Sequence, residues 1–226
     1  MPSFTDLAKR QAELIRKPMA GVIATAPEET ELLASFALTS AVSLTAPVTL
    51  TALTEWDQLG WVSKNDGVTF ASDVQSEDVE SWGAPEPTRT DIIRDVTSAQ
   101  FTCQETNRIV LEMFHNVDLS GIVPAPNTGE VSFASATEPQ TTYRRMLFLS
   151  KDGSPGKEFY IAKIMPRASV NAKADQQWGG SELNYGMTIS AKVDDDLGYS
   201  VRHIFAGAGW RSQLVKMGFE AAVGTP

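Results

Sequence analysis

One cysteine and two histidines stand in 226 residues. With Cys103 alone, an intrachain disulfide is excluded. Its expected role is a small buried hydrophobe in a strand, because a nucleophilic thiol needs an activating imidazole or helix N-terminus, and the sequence sets neither beside it. The histidines, His115 and His203, form no H-E-x-x-H pattern, and paired C-x-x-C motifs are missing, so no zinc-type ligand set is spelled out. Neither a G-x-x-x-x-G-K-[ST] phosphate loop nor a G-x-S-x-G nucleophile elbow occurs. Basic residues are in deficit: 19 Lys and Arg face 28 Asp and Glu, a net charge of -9. Such a surface repels phosphate, and no Lys/Arg run offers a local exception, so non-specific nucleic-acid binding is disfavoured. There is no internal repeat and no low-complexity tract. No secretory leader is visible, since Lys9, Arg10, Arg16 and Lys17 interrupt the first segment.

Charge is also lacking from Leu32 to Thr54, a stretch long enough to span a bilayer on length alone. It is studded with Ser and Thr and contains Pro47, and Val48 to Thr54 alternates apolar with hydroxyl side chains. That alternation is the period of a half-buried strand, so a soluble protein without a membrane partner is expected.

What is present is an ordinary globular composition, 42% hydrophobic and 21% charged, with 12 prolines and 16 glycines. The frequent turns favour a β-rich fold, and the length suits one large domain. Residues 1–20 read as an N-terminal arm and 21–226 as a single β-sandwich domain. Residues 3–17 suggest a short helix ended by Pro18, with a thin apolar side of Phe4, Leu7, Leu14 and Ile15 that would either lie as an arm on a neighbouring subunit or fray as a free terminus. Gly21 to Thr25 is a strand. Trp61–Ser63 and Val68–Phe70 around Lys64-Asn65-Asp66-Gly67 predict a tight hairpin. Val96 to Gln104 is a strand, and residues 83–91 are irregular. Thr106 to Phe114 carries Ile109, Val110, Met113 and Phe114 at helical spacing, with Arg108 and Glu112 off that face, and predicts the one core helix. Tyr143–Ser150 and Glu158–Met165 are strands around a longer loop. Tyr185, Met187, Ile189, Ala191 and Val193 alternate with Gly186, Thr188, Ser190 and Lys192, the clearest one-face-buried strand. It turns through Asp194–Asp196 into Tyr199–Phe205, and Gly209–Gly218 suggests a closing helix. The fold class is mainly β: two packed sheets, sandwich- or barrel-like, with one flanking α-helix and short terminal helices.

Candidate chemistry is sparse. His115 follows the core helix, where the C-terminal dipole favours a cation, and His203 reads as a hydrogen-bonded core histidine. Asp194, Asp195 and Asp196 could hold a hard cation or act as glycosidase acids, but lack EF-hand spacing and an evident partner, so a solvated turn is expected. Trp56, Trp61, Trp82, Trp178 and Trp210 fall near turns and strand ends, which suits core edges or subunit interfaces. They also keep open a β-sandwich carbohydrate-binding module as an alternative. No catalytic, cofactor or metal residue is assigned.

An ordered series of short motifs remains: Asp78-Val79-Glu80-Ser81-Trp82-Gly83, Glu86-Pro87-Thr88-Arg89 with Asp91-Ile92, and Gln104-Glu105-Thr106. It continues with Tyr160-Ile161-Ala162-Lys163-Ile164-Met165-Pro166-Arg167, Trp178-Gly179-Gly180, Leu197-Gly198-Tyr199-Ser200, and Phe205-Ala206-Gly207 to Gly209-Trp210. From Gly60 to Phe219 the chain resembles the major tail tube proteins of long-tailed, non-contractile bacteriophages, particularly those infecting actinobacteria. The resemblance implies a non-enzymatic virion subunit, assembled in the host cytoplasm. Six copies would close into a ring through their inner sheets, and rings would stack into a tube. Such a tube holds the tape measure protein, meets other tail proteins at its ends and later passes phage DNA to the host without specific binding. No cofactor is implied. The expected lumen is acidic or hydroxyl-rich, with Thr188 and Ser190 as its candidate residues.

Overall fold

A computed structural model describes residues 3–30, 37–44, 46–179 and 182–222. In chain order the elements are α1 (Phe4–Ala8), a 3₁₀ turn (Ala12–Leu14), β1 (Ala20–Pro27), β2 (Thr39–Ser40), β3 (Thr49–Leu50), β4 (Asp57–Gln58), β5 (Val68–Val79), β6 (Arg89–Cys103), α2 (Arg108–His115), β7 (Arg144–Asp152), β8 (Phe159–Lys173), β9 (Tyr185–Lys192), β10 (Arg202–Ala206) and α3 (Ala208–Gln213). The protein is mainly β, as its periodicities predict, with one flanking helix and short terminal ones. Eight strands share one antiparallel sheet in the order β4-β1-β7-β8-β9-β6-β5, with β10 added to β8, and β2 and β3 form a separate ribbon.

The sheet forks along β8. The first half of this strand pairs with β10, as far as Ile164 opposite Arg202. Its second half pairs with β9, from Arg167 opposite Lys192. Pro166 sits at the change of partner and is fully buried. Proline has no N–H to give a ladder, so it is tolerated where pairing is interrupted. On the other side, β7 opposes this point with a register shift between Arg144 and Met146. The Arg145 guanidinium fills the gap: it donates to the carbonyls of Pro166 (3.2 Å) and Thr30 (2.6 Å) and to the Asp194 carboxylate (3.0 Å).

Beyond the fork the sheet curls onto itself. β7 and β5 are four places apart in strand order, about 19 Å in a flat sheet. Yet the Phe148 ring of β7 lies 5.2 Å from Phe70 of β5 and 5.8 Å from Phe101 of β6, centroid to centroid and edge-on. Between the facing halves lies the main core, with Ile23, Met146, Met165, Met187 and Ile189 among its buried residues. The helix α2 closes it with Ile109, Val110, Met113 and Phe114. Asn107 caps this helix by accepting the Val110 N–H (2.9 Å), and Asn116 ends it in the left-handed conformation. A smaller cluster, including Ala24, Leu147 and Ile164, packs on the reverse face of β1, β7 and β8.

Several expectations are corrected. Residues 61–70 form no hairpin. Val62 bridges Cys103, and Val68 already pairs with Phe101 on the same strand. The Lys64–Gly67 turn is thus an excursion from one strand; it closes with Gly67 N–H on the Ser63 carbonyl (2.9 Å), with Gly67 at the positive φ of 57° that glycine tolerates. Val48–Thr54 supplies only the two-residue, exposed β3, paired with β2, while Leu53 packs against the smaller cluster. Residues 32–36 and 45 of the uncharged stretch, and Gly180, lie outside the described residues. Among the described residues no helix is long and apolar enough to cross a membrane. The anticipated helix over 3–17 is only α1 and the 3₁₀ turn, interrupted at Lys9 with φ 41°. By contrast β5 and β6 run much further than predicted, as an exposed ribbon of mostly polar residues that also carries Val74, Val79, Ile92 and Ile93.

Ile189 is 1% exposed in the main core, whereas Thr188 points to the opposite face and is half-buried. Ile189→Asp buries an unpaired carboxylate and is expected to cost about 3–5 kcal/mol, enough to prevent folding. Thr188→Asp should retain a cooperative urea unfolding transition. Equal stability of the two variants would show the face assignment to be wrong.

Candidate functional site: a hydroxyl-lined sheet face

Side chains alternate across a strand, so the residues between the core positions of β6, β8 and β9 share the opposite face. Ser98, Ser190 and Ser169 form one row across three strands, and Gln100 stands beside Thr188 in the next. Thr102 pairs with Gly186, and Thr69 of β5 lies opposite Gln100. Asn171, displaced outward by a bulge between Val170 and Ala172, donates to the Ser190 hydroxyl (2.7 Å). Thr188 and Ser190, the candidates from sequence, therefore sit together at the centre of a neutral polar patch. Ser190 is nearly covered, Thr188 half-buried and Gln100 exposed. Sequence reasoning did not name Ser98, Gln100, Thr102, Ser169 or Asn171. The alternation Ser98, Gln100, Thr102 was visible, but its facing toward Thr188 depends on the order in which the strands pair.

Charge is kept off the centre of this face. Towards the ribbon the first ionic groups are Arg94 and Asp73, paired at 3.1 Å. At the other side is Lys192, beside Arg167, which itself forms an ion pair with Glu28 (2.8 Å) and stacks over Tyr143. The acids gather on the ribbon: between residues 71 and 95 stand Asp73, Glu77, Asp78, Glu80, Glu86, Asp91 and Asp95 against only Arg89 and Arg94. Exposed Val74, Val79, Trp82, Ile92 and Ile93 accompany them.

The four strands carrying the face, β5-β6-β9-β8, end in two open edges. Among the described residues, β5 pairs along its 12 residues with β6 alone. β7 leaves β8 at Ala168, so from Ser169 to Lys173 the outer edge of β8 has no strand partner among the described residues. Each strand runs antiparallel to the next, so the two end strands point in opposite directions. Unpaired edges of this kind are templates for another chain.

The N-terminal candidates separate into two groups. Phe4 and Leu7 are 75% and 69% exposed on α1, and Ile15 is exposed as well. Leu14 is half-buried, within a segment bound to the body of the chain. There Arg16 donates to Gln213 and stacks on the Phe159 ring, Glu13 pairs with Lys216 (3.1 Å), and the Lys17 N–H reaches Asp152 (3.2 Å).

Other sequence candidates take structural roles. Asp194 is no solvated acid: it is buried, pairs with Arg145 and accepts the N–H groups of Asp196 and Leu197, while Asp195 and Asp196 are exposed. The sequence also misplaces Glu112, which is buried at the α2–β7 contact between Arg108 and Arg144 (3.0 Å) and accepts from Leu119 N–H. His115 is the last residue of α2, and burial, with Lys173 nearby, pushes its pKa down rather than favouring the cation. His203 is exposed on β10, not in the core. Trp56 and Trp210 pack within the chain, whereas Trp61, Trp82 and Trp178 are exposed in three separate loops and form no aligned row. Among the described residues no cluster of three His, Cys, Asp or Glu could hold a metal ion.

A family model described as phage tail tube protein matches residues 8–197. No curated protein matches the chain.

Cys103 is fully buried, and burial, reinforced by the negative charge of Glu105, pushes its thiol up to about 12. Thiolate is the reactive form, so iodoacetamide at pH 8 should leave the native protein unmodified and alkylate it stoichiometrically in urea. Rapid labelling without denaturant would contradict the burial.

Proposed function

Since the chain belongs to the phage tail tube protein family and is a virion tail component, we propose that it is the major tube subunit of a long-tailed, non-contractile phage, of the kind that infects actinobacteria. The motif series from Asp78 to Trp210 supports this narrower assignment. In this reading six copies close into a ring by laying β5 of one against the Ser169–Lys173 edge of β8 in the next. The opposed directions of those strands make the new pairing antiparallel, like every other in the sheet. Ring closure then removes both open edges at once, which is the physical reason to assemble. Rings stack into a tube, the tape measure protein occupies it during assembly, and other tail proteins cap its ends. Of the N-terminal arm, the exposed part from Phe4 to Arg10 belongs to contacts between subunits, while Glu13 to Lys17 hold to their own chain.

The observation that carries the reading is the neutral hydroxyl face flanked by two unpaired edges. Closed into a ring, this face becomes the bore. Each cation on such a wall would displace counterions from DNA and hold it. A wall of Ser, Thr, Gln and Asn holds water instead, and the acidic surplus of the subunit adds repulsion at longer range. DNA passes without a binding site to leave. No catalytic step is assigned. The carbohydrate-binding alternative would draw on the exposed tryptophans, and Trp61, Trp82 and Trp178 lie in three separate loops.

Negative-stain micrographs of concentrated protein should contain rings or tubes, and light scattering should show the matching mass; a strictly monomeric species would overturn the proposal. Washed tubes should retain little duplex DNA even at low salt. Thr188→Lys with Gln100→Lys should introduce retention that falls steeply as salt rises, and tight binding by the unmodified tubes would refute the neutral-bore account.

A further inference from the structure

We propose that the N-terminal segment of one copy docks into the cavity beside α2 of a second copy stacked on it in the same orientation. This deepens the tube reading and rests on it.

The receptor is a cavity of about 480 Å³ between the C-terminal end of α2, the end of β1 and strands β7 and β8. Met113, Met146, Val170 and Ile189, core residues or residues packed on the core, reach its wall. Its rim is acidic. Glu28 and Glu112 are engaged by Arg167, Arg108 and Arg144. Glu29, Asp57 and Asp118 remain on the rim, exposed and without an ion-pair partner among the described residues. A pocket with apolar core residues in its wall, and a rim where carboxylates outnumber the two arginines Arg108 and Arg144, selects a segment with apolar side chains followed by cations.

The chain supplies one. On α1, Phe4 and Leu7 are three residues apart and therefore on one side of the helix, both largely exposed. Lys9 and Arg10 follow directly, also exposed, against one carboxylate, Asp6, in the same segment. A five-residue helix with an uncovered apolar side has little stability of its own and gains it by docking.

Placement favours docking in trans. The segment runs back over its own body from Ala20, paired with Lys151, through Lys17 on Asp152, and leaves it at Glu13, paired with Lys216. The cavity opens at the other end of the same strand, where Pro27 pairs with Arg144. Eight residues of β1 separate its two ends by about 23 Å. A second copy displaced along β1 brings its segment to the first copy's cavity, and the same step repeats without end. That is a head-to-tail contact, the type that builds open stacks.

The test is a chain with Leu7→Cys and Thr142→Cys, two exposed positions on segment and rim. Oxidised in assembled tubes, it should give a ladder of covalent multimers in denaturing gels. Tubes with no ladder, or with only an intrachain crosslink, would overturn the docking while leaving the tube reading intact. If the unmodified chain forms no tubes, the tube reading fails and the docking fails with it. Independently, Lys9→Glu with Arg10→Glu should raise the protein concentration needed for tubes at least tenfold, and Glu29→Lys with Asp118→Lys should restore it. Unchanged assembly by the first pair would refute the charge pairing.

Discussion

The fold depends on what happens at Pro166. A strand of 15 residues that kept one neighbour on each side would produce a plain, open sheet. Here the ladder is interrupted at the proline, and Arg145 bonds into the interruption, tying together β7, β8, the segment after β1 and the turn after β9. Arg145 and Asp194 are both nearly buried, so removing either would leave the other as an uncompensated charge. From this point the strand serves two directions. One half carries β10, the other carries β9, β6 and β5, and the angle between them lets Phe148 meet Phe70 and Phe101 across the core. The open edge of β8 beyond Ala168 is a further product of the same fork, since β7 ends its pairing there.

Charge is distributed as carefully as shape. The ribbon of β5 and β6 bears seven of the carboxylates, while the adjoining sheet face bears Ser, Thr, Gln and Asn. One continuous pair of strands thus passes from an ionic exterior to a neutral patch without a break in the backbone ladder other than the bulge near Ser76. Polarity and pairing are set independently, because side chains decide the first and backbone the second.

Much of this was legible in the residues. The alternation in β9 gave its buried and exposed faces, the helical spacing of Ile109 to Phe114 gave α2, and β1, β7 and β8 were found with short boundaries. Local signals failed where a distant partner decides. Asn-Asp-Gly predicts a turn correctly, yet the strands flanking it both pair with β6 and not with each other. Glu112 looks like an outward residue on a helical wheel, and only the approach of Arg144 from β7 makes its burial tolerable. Asp194 is drawn inward from an acidic turn by Arg145 in the same way. The polar face was half visible: Thr188 and Ser190 follow from period two, whereas Ser98 and Ser169 join them only through strand order.

The long ribbon also carries a consequence for the order of events during synthesis. Its strands are joined by a short connection, from Val79 to Arg89, so it can zip as soon as both have left the ribosome. The pairing of β1 with β7 and of β6 with β9 must wait for residues far down the chain, and pairings of such sequence separation form slowly. The acidic hairpin is therefore the first part of the sheet to exist. Its surplus of like charge opposes contact between copies while the core is still unformed.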